Sequence, residues 1–183
     1  GLFNNEIFIK KLNSDLANDL GNLVSRTVTM IEKYFGGSVP APSTREDVDD
    51  ELINLASELP GEVEKLMDDL KISDALDEIW KLVGRANKYI DETTPWALSK
   101  DESKKGRLAS ILYNLCEVIR IISVLISPFL PSTSPKINSQ LGIDKSLTTW
   151  ESLDGFGKFK PGVKVKRGEV LFPRIDVEGK LAE

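Results

Sequence analysis

Apolar residues recur every three or four positions through the first three quarters of the chain. This spacing lays side chains along one face of an α-helix. Leu12, Leu16, Leu20, Leu23, Val24, Val28, Ile31 and Phe35 form the first such stripe, and Gly36-Gly37 closes it. Pro40, Ala41, Pro42 and Ser43 then make a loop. Val48, Leu52, Leu55, Leu59, Val63, Leu66 and Leu70 predict a second helical stretch. It is expected to break or bend at Pro60-Gly61, because proline removes a backbone donor and crowds the preceding turn. Ser73 is placed to cap a third helix, which carries Leu76, Ile79, Trp80, Val83 and Ile90 and ends at Pro95. A fourth carries Leu108, Ile111, Leu112, Leu115, Val118, Ile119, Ile122, Leu125 and Ile126. It is apolar on most faces, so it is predicted to be the central helix of a bundle. A shorter helix follows Pro131 and ends at Leu141-Gly142.

The pattern then changes. Phe156-Gly157-Lys158-Phe159-Lys160-Pro161-Gly162 is turn-like, and Val163, Val165, Val170 and Phe172 stand among Gly, Pro and Lys as short extended segments. This tail has too few apolar residues to fold alone. The expected architecture is all-α, a helical bundle over residues 1–150 with an extended tail over 151–183. The tail packs on the bundle or reaches toward a neighbouring domain.

Two polar features stand out. Turning about 100° per residue from Leu20, at the centre of the first stripe, puts Asn22 and Arg26 on the far side of the helix, one turn apart. Thr29 and Lys33 continue the row. An amide offers a donor and an acceptor, and a guanidinium offers a planar fork, so the pair suits a nucleobase edge. The same spacing also describes an ordinary exposed polar pair. Trp96 follows the helix-ending Pro95, a poor place for a core side chain. It either caps the end of the bundle or offers a stacking surface to an unpaired base.

Composition removes several kinds of chemistry. The chain has no histidine, which excludes Ser-His-Asp triads, histidine general bases and histidine-ligated metals. Cys116 is the single cysteine, so no intrachain disulfide or cysteine zinc knuckle is possible, and a reducing cytosol suits the chain. There is no Gly-rich phosphate loop. No catalytic or metal-ligating set is assigned. The chain opens at Gly1 without the basic and apolar regions of a signal peptide, and none is expected. The apolar run from Leu108 to Leu130 contains Glu117 and Arg120, charges that are costly in lipid, so it reads as a core helix rather than a membrane span. Cys116 within it reads as an inert buried thiol.

Net charge is −5, unevenly spread. Residues 45–78 hold 13 acids and 3 bases, whereas residues 158–174 hold 6 bases and 1 acid. Solvated helix faces account for such a pattern, and so does a molecule with one face that repels phosphate and one that tolerates it. The acidic pairs Glu46-Asp47 and Asp49-Asp50-Glu51 read as solvated, with no acid–base role.

Residues 13–26, from Asn13-Ser14-Asp15-Leu16 to Asn22-Leu23-Val24-Ser25-Arg26, resemble the opening helix of the anticodon-binding domain of the methionyl-tRNA synthetase family. The block from Ala86-Asn87 to Thr93-Thr94-Pro95-Trp96 resembles that family's helix end with its Pro-Trp pair. Leu115 through Pro131, ending Ile-Ser-Pro-Phe-Leu-Pro, is similar to the helix that closes the bundle, and Leu171-Phe172-Pro173-Arg174-Ile175 to the end of the family's core. The first block is shared with other class I synthetases of aliphatic amino acids. The combination with Pro95-Trp96 and Phe172-Pro173-Arg174 is more specific to the methionine enzymes.

The resemblance implies the anticodon-binding helical bundle of class I aminoacyl-tRNA synthetases, acting within an ATP-dependent methionine–tRNA ligase in the cytoplasm. It implies that Asn22 and Arg26 bond the first base of a CAU anticodon and that Trp96 stacks in the opened loop, with Pro95 and Lys33 in support. The implied partners are methionine tRNA and the enzyme's own catalytic domain, with no role for membrane or DNA. That domain's paired histidines, Lys-rich loop and zinc-binding cysteines are not found here. The chain is therefore expected to be an inactive fragment, with ATP and zinc serving only the missing domain. Two other readings are the anticodon domain of a related synthetase and a helical protein-interaction module.

Overall fold

A computed structural model describes residues 14–172. Leu12, Asn13, Pro173, Arg174 and Ile175 lie outside the described residues. Four long helices form the body: α1 (Ser14–Phe35), α2 (Asp47–Asp68), α3 (Ile72–Thr93) and, after the single turn α4 (Pro95–Leu98), α5 (Lys105–Ile126). A short α6 (Ser134–Leu141) follows. The all-α bundle expected from the periodicity is the observed architecture.

Helix α5 lies at the centre. Every residue from Leu108 to Ile126 is buried, and α1, α2, α3 and α6 all pack against it. Its apolar length would cross a membrane, yet the whole apolar window is enclosed by the other helices. Helix α1 presents Leu20, Leu23, Val24, Val28 and Ile31 to this core. It stops where Gly36 and Gly37 take positive φ, and the Gly37 N–H reaches back to the Ile31 carbonyl at 3.0 Å.

Two expectations at helix ends and breaks need correction. Helix α2 runs without interruption through Pro60, which is itself buried. Leu59 and Val63, on either side of it, are seated in the core, and this packing outweighs the lost backbone bond. Helix α3 begins one residue before Ser73, with Lys71 in the capping position, so Ser73 belongs to the first turn.

Charge is also used inside the fold. Asp49, expected in a solvated acidic run, is fully buried. It accepts hydrogen bonds from both Nη atoms of Arg107 at 2.6 and 2.8 Å, from the Tyr89 hydroxyl at 2.6 Å and from the Glu46 backbone at 3.0 Å. Burial pushes this carboxyl upward. The bonds from Arg107, Tyr89 and Glu46 together outweigh burial and hold it below the usual carboxylate range. The network ties the start of α2 to α3 and α5.

Glu117 and Arg120 make a second network, both fully buried. Arg120 Nε donates to Glu117 at 2.5 Å, and its Nη atoms reach the Leu147 carbonyl and Ser152. The other Glu117 oxygen accepts the backbone N–H groups of Gly157 and Lys158 at 2.6 and 2.7 Å. The pair therefore anchors the chain after α6 to the central helix.

From there the tail lies across the bundle. The Tyr113 hydroxyl donates to the Phe159 carbonyl at 2.7 Å, and Phe159, Val165 and Leu171 are buried. Among the described residues the extended segments form a single antiparallel bridge, Ser38 to Lys164, flanked by backbone bonds from Val39 to Val163 and from Val165 to Gly37. The tail comes so close at Gly142, which has φ +63°, that a Cβ there would sit 2.7 Å from the Lys164 carbonyl oxygen.

Candidate nucleic-acid interface

Helices α1 and α3 run side by side in the same direction. Trp80 Nε1 donates to the Leu16 carbonyl at 2.7 Å, Asn87 Nδ2 to the Asp19 carbonyl at 3.0 Å, and Arg26 Nη2 to Asp91 Oδ1 at 3.0 Å. These contacts fix the rotation of α1. Its apolar stripe faces α5, and the row containing Asn22, Arg26, Thr29 and Lys33 faces outward. Asn22 and Lys33 are exposed, and Arg26 and Thr29 are half-buried.

Asp91 leads directly to the tryptophan. Helix α3 ends at Thr93, and Thr94 takes a left-handed conformation at φ +46°. Such a φ in a threonine is strained, and strain of this kind persists only where surrounding contacts hold it. Here Thr93 Oγ1 donates to the Tyr89 carbonyl at 2.7 Å, and the Thr94 carbonyl accepts the N–H groups of Ala97 and Leu98. Pro95, buried, starts α4 at the one helical position where a missing N–H costs nothing. The turn leaves the Trp96 indole 44% exposed, the largest aromatic surface open to solvent among the described residues.

The structure therefore places Arg26 beside the end of α3 and Trp96 just past that end. Among the described residues, no hydrogen bond or ring contact joins Trp96 to Asn22 or Arg26. Lys33 lies further along, in a depression shared with Leu98, Ser99 and Lys105. Its ammonium sits 5.7 Å from the Tyr34 ring centre, and that of Lys105 sits 5.8 Å from the ring of Phe35. Along this side of the bundle lie an amide, a guanidinium, two ammonium groups and an open indole, interspersed with the carboxylates of Asp91, Asp101 and Glu102. Such a set can stack an unpaired base, bond its edge and neutralise phosphate.

Sequence reasoning missed Asp91 as the partner of Arg26. The two are 65 positions apart on different helices, so spacing along one helix cannot pair them. The pairing engages Nη2 alone among the described residues, leaving the rest of the fork for another acceptor. No group of three or more acidic, cysteine or histidine side chains is arranged for a metal among the described residues. Cys116 is buried, and burial pushes its thiol well up, consistent with an unreactive core residue.

Comparison with known proteins shows the family. Residues 39–182 match the family described as the anticodon binding domain of methionyl tRNA ligase, a span that includes Pro95 and Trp96 and begins after α1. The whole chain is 65% identical to part of the methionine–tRNA ligase of Caldanaerobacter subterraneus subsp. tengcongensis and 64% identical to part of that of Clostridium tetani. It spans 28% of the length of each. In shape it is similar to the free-state methionyl-tRNA synthetase of Mycobacterium tuberculosis, with a TM-score of 0.83 at 34% identity, covering 95% of this chain and 35% of that one. On its sequence, its fold and the match over residues 39–182, the chain belongs to the family of methionyl-tRNA ligase anticodon-binding domains.

Proposed function

We propose that this domain grips the anticodon loop of methionine tRNA within an enzyme that joins methionine to that tRNA at the expense of ATP. Asn22 and the free side of Arg26 bond the edge of the first anticodon base, a cytosine of CAU. Trp96 stacks on a base turned out of the loop. Pro95 fixes the start of the turn that carries the indole, and Lys33 supplies positive charge near the phosphates. The observation that carries this reading is Trp96, held open to solvent by the strained Thr94 turn immediately beyond the Arg26–Asp91 contact.

On this reading residues 1–150 are the gripping bundle and residues 151–183 an extended arm, whose described part, up to Phe172, packs on the bundle. The chemical step belongs to the catalytic domain. The zinc and ATP its chemistry uses find no matching donors here, since the chain has no histidine and its one cysteine is buried. The fragment alone is expected to be inactive, and the working enzyme to be cytoplasmic.

The test is charging of methionine tRNA by the intact enzyme, with the first anticodon base native or replaced. Wild type should discriminate strongly against the replacement. Trp96→Ala should lose about 1–3 kcal/mol of binding, and Asn22→Ala and Arg26→Ala should erode the discrimination. Unchanged charging by all three variants would remove the site assignment. Indifference of wild type to the base change would remove the tRNA identity.

A further inference from the structure

A groove of about 480 Å³ runs between the outer face of α1 and the tail. This lies within the size range of sites that enclose small organic groups. Asn18, Asn22 and Ser25 line one side and Arg167 the other, over a floor that includes Val28 and Leu171. Gly21 lies within the α1 wall. A Cβ there would meet nothing within 4 Å, so packing among the described residues does not demand glycine, a poor helix former, at this point. The opposite wall is held in place. Gln140 Nε2 donates to the Glu169 carbonyl at 2.9 Å, and Gly168 lies so close that a Cβ would come within 2.8 Å of Gln140.

The charge lining the groove is mixed, with Arg167 and Glu169 both on the tail wall. Arg167 is 69% exposed and pairs with Glu32 through Nε at 3.3 Å. Lys164 and Lys166 have no ion pair among the described residues. Glu169, on the same wall, pairs with Lys136 at 3.9 Å. Asn22 forms a rim of the groove while belonging to the outward row that carries Arg26, so the two surfaces are continuous.

We propose that the groove is a second nucleotide seat, taking an unstacked nucleotide of the same RNA loop next to the base met by Asn22 and Arg26. This seat rests on the anticodon-loop reading of the same helix. The aliphatic floor accepts the face of a base, the amides of Asn18 and Asn22 offer a donor and an acceptor each to its edge, and Arg167 faces the phosphate. The bare backbone at Gly21 lets the nucleotide approach the helix more closely than any side chain would permit.

The decisive variant is Gly21→Leu, which puts a side chain into the groove from a position where a Cβ meets no described atom within 4 Å, and which improves helix propensity. Its binding is compared with that of wild type and Trp96→Ala in the full-length enzyme. The probes are an RNA stem-loop carrying CAU and copies of it made abasic at one loop position at a time. The seat predicts an unchanged or higher melting temperature and at least about a fivefold loss of affinity for the intact stem-loop. It also predicts one abasic position that weakens wild type yet adds nothing to Gly21→Leu. If Trp96→Ala weakens binding and Gly21→Leu does not, the seat is overturned and the anticodon reading stands. If neither weakens it, both fall. If Gly21→Leu melts lower, the groove houses another part of the protein, and the seat is overturned on that ground.

Discussion

Arg26 and Asp91 meet across two parallel helices, the guanidinium donating to the carboxylate at 3.0 Å with Arg26 half-buried and Asp91 exposed. The contact holds the arginine beside the end of α3 while spending only one of its donor nitrogens. It also puts a negative charge where the proposed RNA would lie. Solvent screening makes such a pair weak, so Asp91→Ala should change stability by less than about 0.5 kcal/mol. RNA affinity should instead rise a few-fold at low ionic strength and converge with wild type as salt increases. Titrations at several salt concentrations check this, and equal affinities at low salt would show that Asp91 lies away from the RNA.

The buried Glu117–Arg120 pair should behave in the opposite way. Glu117→Gln leaves the Arg120 charge without its counter-ion in the middle of the bundle and should cost about 3–5 kcal/mol. Replacing both residues with methionine should cost much less than the two single losses combined, because no uncompensated charge remains. Denaturant unfolding of the two single variants and the double variant checks this. Hydrogen exchange at Gly157 and Lys158 should speed up in every variant that lacks the carboxylate.

Acid sensitivity should centre on Asp49. Its folded-state pKa is depressed below that of the unfolded chain, so its contribution is complete above the unfolded value of about 4. That contribution is lost as pH falls through the lower folded value. Asp49→Asn should therefore be less stable than wild type at neutral pH, with the gap narrowing as pH drops below about 4. Stability measured by urea unfolding against pH reads this directly.

At alkaline pH the sign reverses. Burial, reinforced by the nearby Glu117 charge, pushes the Tyr113 hydroxyl up to about 12. Its neutral form then stabilises the fold fully below the unfolded value of about 10, and this is lost as pH rises toward the folded one. Tyr113→Phe should lose about 1 kcal/mol at neutral pH, from the missing bond to Phe159, and should decline less steeply above pH 10. Ultraviolet phenolate titration alongside unfolding curves separates the two effects.

The bundle was legible in the sequence because one periodicity dominates it. The three-four spacing located α1, α2, α3 and α5, and the all-apolar character of α5 marked it as central. The misreadings share a cause: each weighed a local signal against packing that acts at a distance. Pro60 breaks helices in isolation but is carried through by Leu59 and Val63 in the core. Asp49 looked like one more acid in an acidic run, and only Tyr89 and Arg107, from α3 and α5, reveal it as a buried hub. At the interface, Asn22, Arg26 and Trp96 could be picked out by helical angle and by the odd placement after Pro95. Their relationship through Asp91 could not, since it depends on the alignment of two helices far apart in the chain.

Glu117 holds the tail by accepting two backbone N–H groups rather than any tail side chain. A backbone donor is the same for every residue except proline. The identity of position 158 is therefore free to drift without loosening the clamp, whereas position 157, at φ +93°, is confined to glycine by its own conformation. The central helix thus fixes the route of the arm while leaving its outward chemistry open to change. Substitutions that alter the charge of the arm should relocate neither the arm nor the groove it walls.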